Sequence, residues 1–195
     1  MHLIVYLHGF KSSPSSTKAC LTKAAIDDRI EKGAKLEWYG PQLPPSPKEA
    51  MQMVTTYIEE RNYQQLSIIG SSLGGYYATY LGEIYGPSCR VSLLNPAIDP
   101  ARDLEKYIGQ QKSWHDDETF YFKQAYIQEL KDLYRQPITH PNRYHLLAAT
   151  GDEVLDWREM VSKYVGVHQH ILDGGDHAIT DYPSYLSEIL QFHLD

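Results

Sequence analysis

The sequence predicts an α/β fold: a minimal six-stranded, mainly parallel sheet with helices on both faces. Three observations predict it. Short apolar runs alternate with helix-compatible stretches, the rhythm of right-handed βαβ crossovers feeding a parallel sheet. The strongest runs are continuously apolar, as strands buried on both faces are. Each run also stops abruptly at a loop rich in Gly, Pro, Asn or Asp, residues that punctuate elements. The 195 residues suit one domain, 1–195, large enough for a sizeable core.

Leu3 to Leu7 is the first strand, running straight into the loop His8-Gly9-Phe10-Lys11-Ser12-Ser13-Pro14. Ser15 or Ser16 can cap a helix through about Lys32, with Gly33 as its stop. Leu36 to Tyr39 is a weaker strand, followed by a loop stiffened by Pro41, Pro44, Pro45 and Pro47. Ser46-Pro47-Lys48-Glu49 has the form of a capping box with Pro at the first helical position. Ala50, Met51, Val54, Tyr57 and Ile58 would form the apolar face of that helix. Leu66 to Ile69 is the third strand, Tyr76 to Tyr85 a helix, and Arg90 to Leu94 the fourth strand, ended by Asn95-Pro96.

From Ile98 to Gln136 the rhythm breaks. No strand signal is visible, and two helices are expected, at about Pro100–Ile108 and Asp117–Arg135. This helical insertion, about 98–136, is rich in Phe and Tyr and is a candidate lid; plain packing of helix on sheet explains such aromatic stripes equally well. Tyr144 to Ala149 and Val167 to Leu172 are the fifth and sixth strands. A helix from Trp157 to about Val165 lies between them, and a last helix opens near Pro183.

Composition narrows the function. Apolar content of 42% and charged content of 22% are ordinary for a globular protein. The net charge of −7 with no basic cluster argues against nucleic acid as a partner. Cys20 and Cys89 are far apart and read as small buried hydrophobes in a reducing compartment. The apolar run at the N-terminus is too short for a signal peptide, and no segment approaches a membrane span. A cytoplasmic location is expected. Oligomeric state is not legible.

The informative stretch is Gly70-Ser71-Ser72-Leu73-Gly74. By composition alone a Gly-x-Ser-x-Gly pattern arises roughly 0.06 times in such a chain. Here it also stands between a strand and a helix, the context of a nucleophile elbow. Ser72 is therefore the candidate nucleophile, with Gly70 and Gly74 letting strand and helix approach. A serine hydroxyl needs a base to take its proton. His177, in the Gly-rich loop after the sixth strand, is the candidate base; Asp152, at the end of the fifth, is the candidate acid that orients it. Sites in open α/β sheets form at these carboxyl ends, and the order Ser…Asp…His is that of α/β-hydrolases.

Competing residues have plainer roles. Asp156 begins a capping-box pattern with Glu159 and so has structural work to do. Glu153 is expected to point elsewhere, and Asp176 lies too near His177 to orient it from a separate strand. His168 and His170 form an H-x-H pair, but their spacing suits one face of a strand and no carboxylate is assignable to them, so no metal is expected. Two backbone N–H groups should form an oxyanion hole: that of Leu73, after the nucleophile, and that of Phe10, in the loop after the first strand. Gly9 and Tyr76 are candidates for contact with substrate, and His8 is expected to prop its loop.

Several of these motifs together resemble the YqiA-like family of small bacterial esterases. They are Leu7-His8-Gly9-Phe10 with Ser12-Ser13-Pro14, then Pro41-Gln42-Leu43-Pro44-Pro45, and Gly70 through Thr79. Asn95-Pro96-Ala97, Thr150 through Asp156 and Gly174-Gly175-Asp176-His177-Ala178 complete the set, with Asp176 where Asn is usual. The resemblance implies an α/β-hydrolase fold lacking the first two strands of larger relatives. It also implies esterase or acyl thioesterase activity, with Ser72, Asp152 and His177 at the triad positions. Ala101 to Asn142 matches least clearly, so the resemblance says little about substrate.

The expected function is hydrolysis of a small carboxylic ester or acyl thioester through an acyl-enzyme, without metal or organic cofactor. A main role on acyl-CoA thioesters is one alternative. A non-catalytic binding protein on the same fold is another, although all three triad positions are filled. A peptidase or amidase would need a peptide groove for which so short a chain leaves little room.

Overall fold

The computed structural model describes residues 1–113 and 119–194. The chain opens with strand β1 (His2–Leu7) and helix α1 (Thr17–Glu31), then β2 (Leu36–Tyr39), α2 (Pro47–Glu59), β3 (Gln65–Ser71) and α3 (Leu73–Tyr85). Strand β4 (Cys89–Leu94) leads to a short helix α4 (Pro100–Asp103), strands β5 (Gly109–Lys112) and β6 (Thr119–Phe122), and helix α5 (Gln124–Asp132). Strand β7 (Tyr144–Ala149), helix α6 (Trp157–Lys163), strand β8 (His168–Leu172) and helix α7 (Pro183–Leu194) follow.

Six strands form one sheet in the order β2-β1-β3-β4-β7-β8, and every pairing is parallel. The order reverses between β1 and β3, which makes the crevice beyond their carboxyl ends the place where such sheets bind ligands. Alternation along β1 explains its unbroken apolar run. Leu3, Val5 and Leu7 pack with residues of α2, α3, α5 and α6, while Ile4 and Tyr6 pack with residues of α1 and α7 on the other face. All five side chains are essentially inaccessible to water, each contributing roughly 1.5–3 kcal/mol by its burial.

Local signals act where expected. Ser46 Oγ accepts the Glu49 N–H at 3.2 Å and donates to Glu129 Oε2 at 2.7 Å, tying the start of α2 to α5. Asp156 caps α6, accepting the Arg158 N–H at 2.9 Å. Three expectations are corrected. Residues 109–112 and 119–122 pair as an antiparallel ribbon, where helices with no strand were expected; the start expected for the second helix, Asp117, lies outside the described residues. Phe120, Tyr121 and Phe122 alternate half-buried, exposed and buried, so the aromatic run obeys a strand period of two. Cys20 is exposed on α1 and only Cys89 is buried, its thiol pushed up to about 12 by burial. Finally, His168 and His170 do face a carboxylate: Glu188 of α7 lies 3.5 Å from one ring and 2.7 Å from the other. Among the described residues no helix is long and apolar enough to cross a membrane.

Candidate active site

Strand β3 ends at Ser71, and Ser72 turns the chain into α3 with φ 55° and ψ −120°. A non-glycine residue held there costs roughly 1–3 kcal/mol and persists only where its surroundings fix it. Both peptide groups of the turn are fixed. The Ser72 N–H donates to Leu94 O at 3.0 Å, and its carbonyl accepts from the N–H groups of Gly75 and Ala97, each at 2.9 Å. The hydroxyl is thereby lifted above the sheet at the positive end of α3.

The structure brings the three sequence-predicted residues together from three strand ends. His177 Nε2 lies 3.0 Å from Ser72 Oγ, and His177 Nδ1 lies 2.8 Å from Asp152 Oδ2. The Asp152 side chain is fully buried and that of His177 is one-fifth exposed. The other Asp152 oxygen, Oδ1, accepts the N–H groups of Val154 and Leu155, each at 2.8 Å. A carboxylate held this firmly draws the imidazole proton onto Nδ1 and leaves the Nε2 lone pair facing Ser72.

Three further residues hold the His177 loop, and the sequence reading missed each. Asn95 follows β4, is fully buried and has φ 42°. Its Nδ2 donates to the carbonyls of Asp176 at 3.0 Å and His177 at 3.2 Å, and its Oδ1 accepts the Ala149 N–H at 2.8 Å. Glu153 was expected to point elsewhere; instead its Oε2 accepts the His177 N–H at 2.9 Å. Lys18 donates to Ala178 O at 2.5 Å. Burial pulls the Lys18 ammonium down to about 8, against the opposing pull of Asp176 and Asp152. In the sequence Asn95 stands out as an amide ending an apolar run and as part of the Asn95-Pro96-Ala97 motif, and neither signal shows what its side chain holds. Asn95→Ala is expected to lower stability by roughly 1–3 kcal/mol, because a buried N–H loses its acceptor, and to lower turnover as the loop loosens. Urea midpoints and kcat measured together check this; unchanged kcat would leave the loop set by Glu153 and Lys18 alone.

Among the described residues, neither the Phe10 nor the Leu73 N–H donates a hydrogen bond to another group. Gly9 abuts the serine, since a Cβ placed there would lie 3.1 Å from Ser72 Cβ and 3.6 Å from its Oγ. His8 props the loop: its Nε2 accepts the Leu43 N–H at 3.0 Å and its Nδ1 bonds Gly9 O at 2.9 Å. Gly9, Phe10, Ser72, Leu73, Tyr107 and His177 all line a cavity of about 370 Å3. The Phe10 ring meets Tyr107, Phe120 and Phe122 at centroid distances of 5.6, 5.8 and 5.2 Å, so the β5–β6 ribbon packs directly on the loop that carries one candidate donor. Tyr76 is not brought into this cavity. Its hydroxyl donates to Leu130 O at 2.6 Å, and it lines a separate hollow of about 770 Å3.

The model of an uncharacterised protein family, UPF0227, matches residues 3–194. Similar solved structures include Est1E from Butyrivibrio proteoclasticus with ferulic acid bound, at 14% identity and TM-score 0.75, covering 100% of this chain and 88% of that one. Mouse α/β hydrolase domain-containing protein 10 shares 14% identity at TM-score 0.69, over 97% of this chain and 89% of its own. A thioesterase domain from the curacin biosynthetic pathway shares 13% identity at TM-score 0.60, over 96% and 90%. At such identities the likeness is one of fold, and that fold is the α/β-hydrolase fold expected from the sequence.

Proposed function

The chain belongs to the UPF0227 family, and we propose that it is a serine hydrolase that cleaves carboxylic esters or acyl thioesters through an acyl-enzyme on Ser72. One observation carries this reading: the unbroken chain of hydrogen bonds from Ser72 Oγ through His177 to the buried Asp152 carboxylate. In the proposed reaction Ser72 Oγ attacks the acyl carbon while His177 Nε2 takes its proton. The Phe10 and Leu73 N–H groups receive the oxyanion, which such donors stabilise by roughly 3–4 kcal/mol each in comparable sites. Collapse of the tetrahedral intermediate expels the alcohol or thiol, protonated by His177. A water molecule, deprotonated by the same imidazole, then releases the acid. A cavity of about 370 Å3 walled by Phe10, Leu73, Leu104 and Tyr107 favours a compact apolar or aromatic acyl group. Est1E, the fold neighbour with ferulic acid bound, makes an aryl-acyl ester a sensible first substrate to try.

The test is covalent labelling with a fluorophosphonate probe, read by intact mass on wild type and Ser72→Ala. One adduct on the wild type and none on the variant is expected. A folded wild type that takes no adduct would replace the hydrolase reading with that of a binding protein using the same cleft.

A further inference from the structure

Beneath α7, away from the Ser72 cleft, three imidazoles converge on one carboxylate. His145 and His168 are register partners on the adjacent strands β7 and β8, their rings stacked at 5.2 Å. Glu188 Oε1 lies 3.1 Å from His145 Nε2 and 3.5 Å from His168 Nε2, while Oε2 lies 2.7 Å from His170 Nδ1. We propose that His145, His168 and Glu188 bind a divalent transition-metal ion of the zinc class.

The geometry suits a small tetrahedral ion. Bonds of about 2.0–2.1 Å to N and O put tetrahedral ligands about 3.3 Å apart, and two of the three separations already straddle that value. The three ligand atoms all lie within 4.8 Å of one another, and the largely exposed His168 side chain can turn to close the last edge. Two imidazoles and one carboxylate form a borderline donor set that suits zinc over magnesium or calcium. His168 is 62% exposed and Glu188 34%, which gives the ion a path in and leaves a coordination position for water.

The surroundings also resemble those of a metal site. Ligating histidines usually have their second nitrogen held, and ligating carboxylates are themselves hydrogen-bonded. His145 Nδ1 lies 3.3 Å from Ser92 Oγ, which in turn lies 2.9 Å from His193 Nε2. With the ion on Nε2, the His145 proton sits on Nδ1 and points to Ser92, whose own hydrogen points to His193. His170 orients the carboxylate through its free oxygen. The ion would also have a structural effect. His168 begins β8 and Glu188 lies in α7, so binding both clips the ends of the segment that carries His177, a loop closure that favours the folded state.

The experiment uses tag-free, chelator-stripped protein carrying Cys20→Ser, so that the exposed thiol supplies no ligand. Zinc chloride is titrated against a chromophoric zinc indicator, and melting is recorded with and without zinc. One equivalent bound at micromolar affinity or tighter, with a raised melting temperature, is expected. Glu188→Gln and His168→Asn should each weaken binding about 100-fold or more, and His170→Gln, acting through Glu188, by about 10–100-fold, with the metal-free melting temperature of His168→Asn unchanged. Because His168 is largely exposed, that variant keeps the test valid if Glu188→Gln folds poorly. No stoichiometric zinc on the wild-type site, or one equivalent retained at full affinity by His168→Asn, overturns the proposal.

Discussion

Replacing Asp152 by Asn is expected to lower kcat about 10,000-fold, the loss seen when the acid of a Ser-His-Asp triad is neutralised. The geometry makes the substitution clean. Asp152 Oδ1 accepts the N–H groups of Val154 and Leu155, and the amide oxygen of Asn can keep both bonds. Its amide nitrogen then faces His177 Nδ1 and donates to it. The imidazole is forced into the opposite tautomer, with a proton on Nε2 facing Ser72, and can no longer take the serine proton. Asp156→Asn is the matched control. Asp156 caps α6, and Asn caps a helix about as well as Asp, so kcat should stay near wild type. Turnover of an aryl ester by the two variants decides it: near-wild-type kcat for Asp152→Asn with loss for Asp156→Asn would move the acid to Asp156.

Gly74→Ala should destabilise the protein by more than about 4 kcal/mol, a size reserved for a few severe mechanisms, and within reach of a typical total of 5–15 kcal/mol. On helix propensity alone the change would be favourable by about 1 kcal/mol. Close approach reverses the sign. A Cβ at Gly74 would lie 1.9 Å from the Leu7 carbonyl oxygen and 2.8 Å from that of His8. These are backbone atoms at the end of β1, and moving them displaces the loop that carries Gly9 and Phe10. Gly70 is equally confined, with a Cβ there only 2.2 Å from Gly74 O. A urea midpoint at or above that of the wild type would show that strand and helix can part without cost.

Much of this was legible in the sequence because the signals were local. A strand buried on both faces leaves a continuous apolar run, and a strained turn between strand and helix leaves Gly-x-Ser-x-Gly. His177 and Asp152 could be found because parallel strands place their ends on one rim, so that residues 105 and 25 positions apart meet in one hydrogen-bonded chain. What escaped depended on contacts between distant segments. Asn95 looked like a strand terminator until its amide was seen to bridge β7 and the His177 loop. The pairing of Gln111 with Phe120 joins a polar tetrapeptide to an aromatic one; the aromatic half has β propensity, but its polar partner carries no strand pattern and nothing local announces the pairing. Glu188 escaped because nothing local to the helix opened by Pro183 points to a partner; only the packing of α7 on the sheet sets it against His145, His168 and His170.

The edge-on packing of Phe10 against Phe120 and Phe122 of the β5–β6 ribbon has a consequence for how the site can be altered. The ribbon stands in the insertion between β4 and β7, the part of the chain that the sequence left open as lid or packing. Phe10 joins it to a candidate donor of the oxyanion hole, so on the proposed function the wall of the acyl cavity and the machinery for turnover share one residue. On the proposed function, a substitution in the ribbon that reshapes the acyl cavity is expected to change kcat as well as KM.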